Sequence, residues 1–247
     1  MSNNKEIAVG IDIGGTNSRF GVVTSSGDVL MHDRFPTSTY PKAEGFVKGI
    51  SRKIKEILKG YEDYTLKGIG IGAPNGNYFS GTIEQAPNLP WEGVIPFVEM
   101  FNKQFETRVV LTNDANAAAI GEMMFGGARG MKDFIVITLG TGLGSGSVVN
   151  GDLVYGHDGF AGELGHTFVY MDSGRKCGCG RRGCLETYAS ARGIKRTVFE
   201  LMADQIKVSE LRNLSFNEMT SEHIFHAAKQ GDRIAKEAFD LTGQYLG

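Results

Sequence analysis

Residues 11–30 read IDIGGTNSRFGVVTSSGDVL, and residues 137–154 read ITLGTGLGSGSVVNGDLV. Each stretch contains an apolar strand, a glycine-rich turn, a second strand, a Gly-Asp turn and the start of a third strand. This similarity predicts a β-hairpin unit that occurs twice, which differs from a short-period solenoid repeat. Two copies indicate two similar lobes, and we place these lobes at residues 1–112 and 113–247.

The segments around the two copies alternate between strand and helix patterns. Apolar residues at helical spacing from Phe46 to Leu58 predict a helix, and the apolar run 66–71 predicts a buried strand. A polar segment rich in proline, asparagine and glycine then predicts a loop as far as Trp91. Further helices are predicted at residues 94–105, 115–125 and 234–247. This order of elements favours an α/β fold.

The composition excludes several classes of protein. The 247 residues carry a net charge of −2, with 41% hydrophobic and 22% charged residues, so no global charge favours nucleic acid or an anionic membrane. We see no leader pattern and no apolar run near the ~20 residues that a membrane span needs. We therefore expect a cytoplasmic protein without nucleic-acid or membrane partners. A local basic cluster is expected to be a solvated loop and consists of Arg175, Lys176, Arg181 and Arg182.

The two glycine-rich turns have the composition of phosphate-binding loops. A tight hairpin turn exposes backbone N–H groups, and glycine lets a phosphate approach without a Cβ in the way. One such turn is weak evidence, but two related turns indicate two loops that grip one polyphosphate. A strand follows each turn and no G-x-x-x-x-G-K-[ST] occurs, which argues against a P-loop or a dinucleotide site. The candidate phosphate-binding residues are Gly14, Gly15, Thr16, Gly140, Thr141 and Gly142.

Two acidic residues stand at predicted strand ends. Asp12 precedes the first turn, where a carboxylate would repel phosphate unless a cation intervenes, so it is a candidate ligand of Mg²⁺ or of a metal-bound water. The alternative for Asp12 is a turn residue bonded to local backbone. Asp114, after Asn113, lies between a strand and an alanine-rich helix. It is either an N-cap worth ~1 kcal/mol or a general base worth ~10²–10⁴-fold in rate.

The three cysteines lie within eight residues, and a histidine precedes them. The odd count at C-x-C-x4-C spacing argues against a disulfide framework. His166 with Cys177, Cys179 and Cys184 makes a Cys₃His set typical of structural zinc. Free buried thiols and a packed histidine are the alternative. The nearby carboxylates of Glu163 and Glu186 would suit a polyhydroxylated ligand, since each oxygen can accept a hydroxyl hydrogen.

In combination these residues resemble the ROK family (repressors, open reading frames and sugar kinases) over nearly the whole chain. The resemblance rests on DIGGT at 12–16, APNL at 86–89, NDANAAA at 113–119, LGTGLGSG at 139–146, GELGH at 162–166 and CGCGRRGCLE at 177–186.

The resemblance implies an actin-like (ribonuclease H-like) two-lobed α/β fold that binds ATP, Mg²⁺ and a hexose in its cleft. Asp114 matches the catalytic base of the family, and the glycine-rich turns match its two phosphate loops. The family's sugar contacts match Asn113, Asp114, Glu163, His166 and Glu186. Its structural zinc ligands match His166, Cys177, Cys179 and Cys184. A homodimer is a further expectation from the family.

The sequence looks closest to the bacterial glucokinase branch, so we expect phosphorylation of glucose on its 6-hydroxyl. A kinase for N-acetylglucosamine, N-acetylmannosamine or fructose is the runner-up expectation. A sugar-sensing regulator would carry a DNA-binding domain before the first turn, where few residues precede Asp12 here. A zinc-stabilised, chaperone-like ATPase is a third class. Family kinases usually continue with further helices and a glycine-rich segment, so we expect that the chain is cut short at its C-terminus.

Overall fold

The computed structural model describes residues 5–171 and 173–247. Residues 1–4, part of the N-terminus in which we saw no leader pattern, lie outside the described residues. The chain divides into two compact units. The first unit consists of Met1–Val136 with Gly146–Ala161, and the second of Ile137–Ser145 with Gly162–Gly247. The predicted lobe boundary between residues 112 and 113 falls inside the first unit.

Strands and helices alternate along the first part of the chain, and helices dominate the last part. The strands are β1 (Lys5–Asp12), β2 (Asn17–Thr24), β3 (Val29–Pro36), β4 (Tyr64–Gly72), β5 (Gly76–Asn77), β6 (Thr82–Glu84), β7 (Val94–Ile95), β8 (Arg108–Thr112), β9 (Phe134–Leu139), β10 (Leu143–Val149) and β11 (Asp152–Leu153). The helices are α1 (Ala43–Leu58), α2 (Phe97–Asn102), α3 (Asp114–Phe125), α4 (Ala191–Asp204), α5 (Ser221–Lys229) and α6 (Arg233–Leu246).

The main sheet of the first unit has five strands in the order β3-β2-β1-β4-β8. β1 and β2 pair antiparallel across the predicted turn, and β2 pairs antiparallel with β3. β4 pairs parallel with both β1 and β8. The carboxyl ends of β1, β4 and β8 therefore lie at one edge of the sheet.

The core of the first unit lies between this sheet and α1. Val9 and Ile11 of β1 are 1% and 3% exposed, because alternate side chains of a strand point to the same face. Phe46, Ile50 and Ile54 recur every four residues on α1, and all three are buried in the same cluster. The apolar spacing that predicted this helix is therefore confirmed as a core face.

The second copy of the hairpin unit forms the sheet β11-β10-β9. The predicted strand 134–139 is confirmed, but the surroundings of its side chains differ from those of β1. Ile135, Ile137 and Leu139 are 57%, 43% and 52% exposed, whereas the aligned side chains of the first copy are buried. The same sequence pattern thus produces the same strand with a different degree of burial.

The helices of the second unit pack around their own core. Ile194 and Val198 of α4, Ile224 of α5 and Ile234 of α6 are buried in one cluster. The predicted C-terminal helix is confirmed as α6. Among the described residues, no helix combines the length and apolarity that a membrane crossing requires.

Two predictions between β4 and β8 were wrong. The predicted helix at 94–105 is the strand β7 followed by the shorter α2, because Pro96 disfavours helical backbone at the residue before it. The predicted loop contains β5 and β6. There, Glu84 Oε1 accepts hydrogen bonds from Asn77 Nδ2 at 3.1 Å and from Thr82 Oγ1 at 2.7 Å. Mutual hydrogen bonds let polar residues form this small sheet.

The α1 face allows a test of the core of the first unit. Phe46 is 0% exposed, so Phe46→Ala should lower the free energy of unfolding by about 3–5 kcal/mol through lost burial and a cavity. Phe225→Ala, at a position that is 47% exposed on α5, is the matched control and should cost less than about 1 kcal/mol. Urea-induced unfolding measures both. Equal losses would contradict this account of the core.

Candidate active site and metal centre

Asp12 and Asp114 lie at the shared edge of the three parallel strands. In register, Asp12 is opposite Gly72 of β4, and Gly72 is opposite Thr112 of β8. Ala73 N donates to Thr112 O at 3.0 Å and holds the strand ends together beyond the ladder. Asp114 follows Thr112 by two residues. The structure therefore brings together the two acidic residues that the sequence singled out.

Burial and neighbouring charges disfavour the ionised form of Asp12. Desolvation by the surrounding strand end raises the pKa of Asp12, the negative charge of Asp114 raises it further, and Arg19 lowers it. Arg19 lies opposite Asp12 on β2. Two carboxylates at close range disfavour each other's ionised form, and a cation bound beside them would remove that penalty.

Asn113, rather than Asp114, is the N-cap of α3. Asn113 Oδ1 accepts from Ala115 N at 2.8 Å, and its backbone is extended. Asp114 is the first helical residue, so the N-cap alternative for Asp114 was wrong. Asp114 Oδ1 also accepts from Ala115 N at 2.8 Å, whereas Oδ2 accepts no hydrogen bond from the described residues. The exposed Asp114 carboxylate therefore has one oxygen available to a ligand.

The first glycine-rich turn is anchored to the end of β3. Thr16 O accepts from Thr37 N at 3.0 Å, and a buried bond of 2.8 Å joins Ser18 Oγ to Thr37 Oγ1. A Cβ at Gly14 would stand 2.5 Å from Asn17 O, a separation that real Cβ atoms do not show. The turn therefore needs glycine for its own geometry, besides any role in binding phosphate.

The second glycine-rich turn lies against α4 and Glu186 within the second unit. Ala191 N, in the first turn of α4, donates to Gly140 O at 3.0 Å. A Cβ at Gly142 would stand 2.6 Å from Glu186 Oε2. The turn and the Glu186 carboxylate are thus direct neighbours, a contact that the sequence did not predict.

The structure gathers the four candidate zinc ligands into one cluster. The ligand atoms of His166, Cys177, Cys179 and Cys184 all lie within 4.8 Å of one another. Cys177 Sγ is 3.7 Å from His166 Nδ1, and Cys179 Sγ is 3.7 Å from Cys184 Sγ. Zn–S bonds of ~2.3 Å in a tetrahedron place two sulfurs ~3.8 Å apart, so the residues present fit zinc.

The thiols of this cluster differ in acidity. Burial opposes ionisation of all three, but hydrogen bonds from Arg181 and from the other two thiols lower the pKa of Cys179 to about 6. Burial raises the pKa of Cys177 and Cys184 above the ordinary value. Ionisation is therefore favoured at Cys179 over the other two thiols. A metal ion would replace the thiol protons and bind the thiolates.

The proposed sugar acceptors of the second unit lie next to the cluster. Glu186 Oε1 accepts from Cys177 Sγ at 2.9 Å and lies 3.8 Å from His166 Nδ1. Glu163 is exposed, and its carbonyl accepts from His166 N at 3.0 Å. The second unit therefore brings Glu163, His166 and Glu186 together, and all three lie in or beside the segment 166–184 that carries the candidate zinc ligands, here called the zinc-ligand loop.

One functional candidate was missed in the sequence. Arg175 was expected in a solvated basic loop, but it is 8% exposed, so that expectation was wrong for this residue. Its guanidinium bonds Thr197 and Glu200 of α4, which lie 22 and 25 residues further along the chain. No local spacing pattern could indicate partners at that separation.

Comparison with known proteins gives matches over nearly the whole chain. The model of the ROK family matches residues 8–247. A glucokinase of Halalkalibacterium halodurans is 36% identical over 245 residues, which cover 97% of this chain and 73% of that protein.

Solved structures give the same result for the fold. A ROK family glucokinase from Streptomyces griseus, in complex with glucose and AMPPNP, matches with a TM-score of 0.79 and 35% identity over 97% of this chain and 76% of that one. A ROK family transcriptional regulator matches with a TM-score of 0.85 and 26% identity over 98% of this chain and 60% of that one. The predicted actin-like α/β fold is confirmed.

The Cys₃His cluster predicts that purified protein carries zinc. His166→Gln and Cys184→Ser should each reduce the zinc content from about one ion per chain to a small fraction, because three ligands hold the ion far less tightly than four. His157→Gln changes an exposed histidine outside the cluster and should retain zinc. Elemental analysis after dialysis measures the ratio. Zinc content in His166→Gln equal to that of the wild type would contradict the site.

The raised pKa of Asp12 predicts an unusual stability profile. A carboxyl group whose folded-state pKa is raised stabilises the fold most when protonated, and this contribution is lost as pH rises through the folded-state pKa. Asp12→Asn should therefore unfold at an equal or higher temperature than the wild type at pH 7.5. The difference should shrink as pH falls toward 3.8, the ordinary value.

A control of opposite sign is Asp33→Asn, because a hydrogen bond with Lys53 lowers the pKa of Asp33. Asp33→Asn should therefore unfold at a lower temperature than the wild type at neutral pH, and this difference should become smaller as pH is lowered. Thermal unfolding across this pH range tests both. A clear loss of stability in Asp12→Asn at pH 7.5 would refute the account of the carboxylate pair.

Proposed function

This chain belongs to the ROK family, and on that premise we propose that it is an enzyme that transfers the γ-phosphoryl group of ATP to the 6-hydroxyl of glucose. The main support for the proposal is that Asn113, and not Asp114, is the N-cap of α3. Asn113 satisfies the helix terminus, which leaves an Asp114 oxygen available beside Asp12. The glucokinase relatives, and a ROK glucokinase bound to glucose and an ATP analogue, support the choice of substrates.

Asp114 is the general base in this proposal. Its free carboxylate oxygen accepts the proton of the sugar hydroxyl as that oxygen attacks phosphorus, a contribution worth about 10²–10⁴-fold in rate. Asn113 keeps its side-chain N–H group for a neighbouring sugar hydroxyl while its oxygen caps the helix. Asp114 thus accepts the proton, and Asn113 helps to position the sugar.

Asp12 would hold Mg²⁺, directly or through a bound water. Mg²⁺ neutralises charge on the transferred phosphate and its neighbours when it is bound. The raised pKa of Asp12 fits this role, because a nearby cation restores the ionised form that burial and Asp114 disfavour. The turns at 14–16 and 140–142 would bind phosphate oxygens through backbone N–H groups and the hydroxyls of Thr16 and Thr141.

Glu163, His166 and Glu186 would bind sugar hydroxyl groups. The two carboxylates accept hydroxyl hydrogens, and the second nitrogen of the imidazole remains for the sugar when the first binds zinc. Structural zinc would fix the orientation of His166 and hold the loop that carries Glu186. A homodimer and a cytoplasmic location stay predictions.

A sugar-sensing regulator is the second candidate, because a ROK transcriptional regulator matches the chain with a TM-score of 0.85. Such a protein would bind the sugar without phosphoryl transfer. A kinase of N-acetylglucosamine, N-acetylmannosamine or fructose would share the chemistry of a glucokinase, and the relative turnover of these sugars and glucose distinguishes the two.

The role of Asp114 is tested by Asp114→Asn. The amide cannot accept the hydroxyl proton, so kcat for glucose should fall at least about 10²-fold, with zinc content and glucose binding retained. Asp63→Asn, at an exposed turn residue, is the matched control and should keep the wild-type kcat. A coupled assay of ADP release measures kcat, and calorimetry measures glucose binding. Turnover by Asp114→Asn at the wild-type rate would disprove the assignment.

A further inference from the structure

Arg175 is a buried arginine whose side chain uses every one of its hydrogen-bond donors. Nε donates to Glu200 Oε1 at 2.9 Å, and Nη2 donates to Glu200 Oε2 and, at 2.9 Å, to Thr197 Oγ1. Nη1 donates to Thr187 O at 2.8 Å and to Gly193 O at 3.1 Å. A guanidinium has five N–H donors, so none is left for solvent or ligand.

Two of these acceptors connect Arg175 to the proposed sugar site. Thr187 directly follows Glu186 in the 3₁₀ helix Leu185–Thr187, so the bond to Thr187 O fixes the backbone beside that carboxylate. Gly193 lies in the first turn of α4. The same guanidinium nitrogen therefore connects the backbone of Thr187, next to Glu186, to α4.

The backbone of Arg175 also joins the two halves of the zinc-ligand loop. Gly183 N, next to Cys184, donates to Arg175 O at 3.0 Å, and Arg175 N donates to Tyr188 Oη at 3.0 Å. The guanidinium carbon lies 4.5 Å from the centre of the Tyr188 ring, a cation–π contact. Arg175 precedes Cys177 by two residues, so these contacts hold the chain before Cys177 against the segment that contains Cys184.

We propose that Arg175 is a positioning residue that holds Glu186 and the zinc-ligand loop in their binding geometry by anchoring both to α4. The part that concerns sugar binding rests on the proposed function, and the part that concerns zinc does not. A planar fork of five donors is needed for this network, and lysine cannot replace it because its three donors share one nitrogen. Loss of a group that bonds a metal ligand directly typically costs about 10–100-fold in metal affinity or activity, and Arg175 acts one bond further away, so we expect the lower end of that range.

The test compares Arg175→Lys with Arg182→Lys in the zinc-loaded protein, well below the melting temperature of each variant. Arg182 is exposed in the same loop and, among the described residues, its side chain makes one hydrogen bond, to Gly174 O at 3.1 Å, so it controls for removing a guanidinium there. In Arg175→Lys, KM for glucose should rise about 10-fold and zinc release to a chelator should accelerate by a similar factor. Its kcat should stay within about threefold of the wild type.

A purely structural role predicts a different pattern. Arg175→Lys would then melt at a lower temperature while KM and zinc release stayed at wild-type values, and that result would overturn the proposal. If Arg175→Lys does not fold, Glu200→Gln replaces it. This substitution weakens the same bonds at a half-exposed partner and should shift KM and zinc release in the same direction by a smaller factor.

Glucose-dependent turnover tests the proposed function, and zinc release tests the role of Arg175 independently of it. If the wild-type chain shows no glucose-dependent turnover, the proposed function fails, and zinc release alone decides the role of Arg175. Faster release in Arg175→Lys than in Arg182→Lys would then support the anchoring of the loop, and equal release would overturn it.

Discussion

The parallel pairing of β1, β4 and β8 places three strand ends at one edge, and the polar groups proposed to act in the first unit depend on this pairing. Asp12 ends β1, and Asp114 begins the helix after β8. Burial and, after it, the negative charge of Asp114 raise the pKa of Asp12, so the fold holds the Asp12 carboxylate where its ionised form is disfavoured. Such an arrangement opposes stability, and it is typical of sites whose charge is needed for binding a cation or for catalysis.

The binding groups of the second unit are supported differently, since they lie on a loop with little regular structure. This loop is held by the four candidate zinc ligands, by the buried Arg175 and by the start of α4 instead of by a sheet. Glu186 accepts hydrogen bonds from Cys177 and from Ser190, the N-cap of α4, and its carboxylate lies beside Gly142. Metal binding is therefore expected to contribute folding energy as well as position.

The sequence predicted those features that depend on neighbours along the chain. Both hairpin units, the helix from Phe46 and the Cys₃His cluster were visible as local patterns. The division of roles between Asn113 and Asp114 was not, because either residue type caps helices well. The exposure of Ile135, Ile137 and Leu139 could not be predicted either, since the aligned Val9, Ile11 and Ile13 are buried. The contacts of Arg175 depend on residues more than twenty positions away, and only the folded chain brings them together.

The most direct measurement is ADP release by the wild-type chain with Mg·ATP and, in turn, glucose, mannose, N-acetylglucosamine, N-acetylmannosamine and fructose. A glucokinase of the ROK family should release ADP in proportion to sugar phosphorylated, with the highest kcat/KM for glucose. ATP hydrolysis that is independent of every sugar, or the absence of both turnover and sugar binding by calorimetry, would contradict the account.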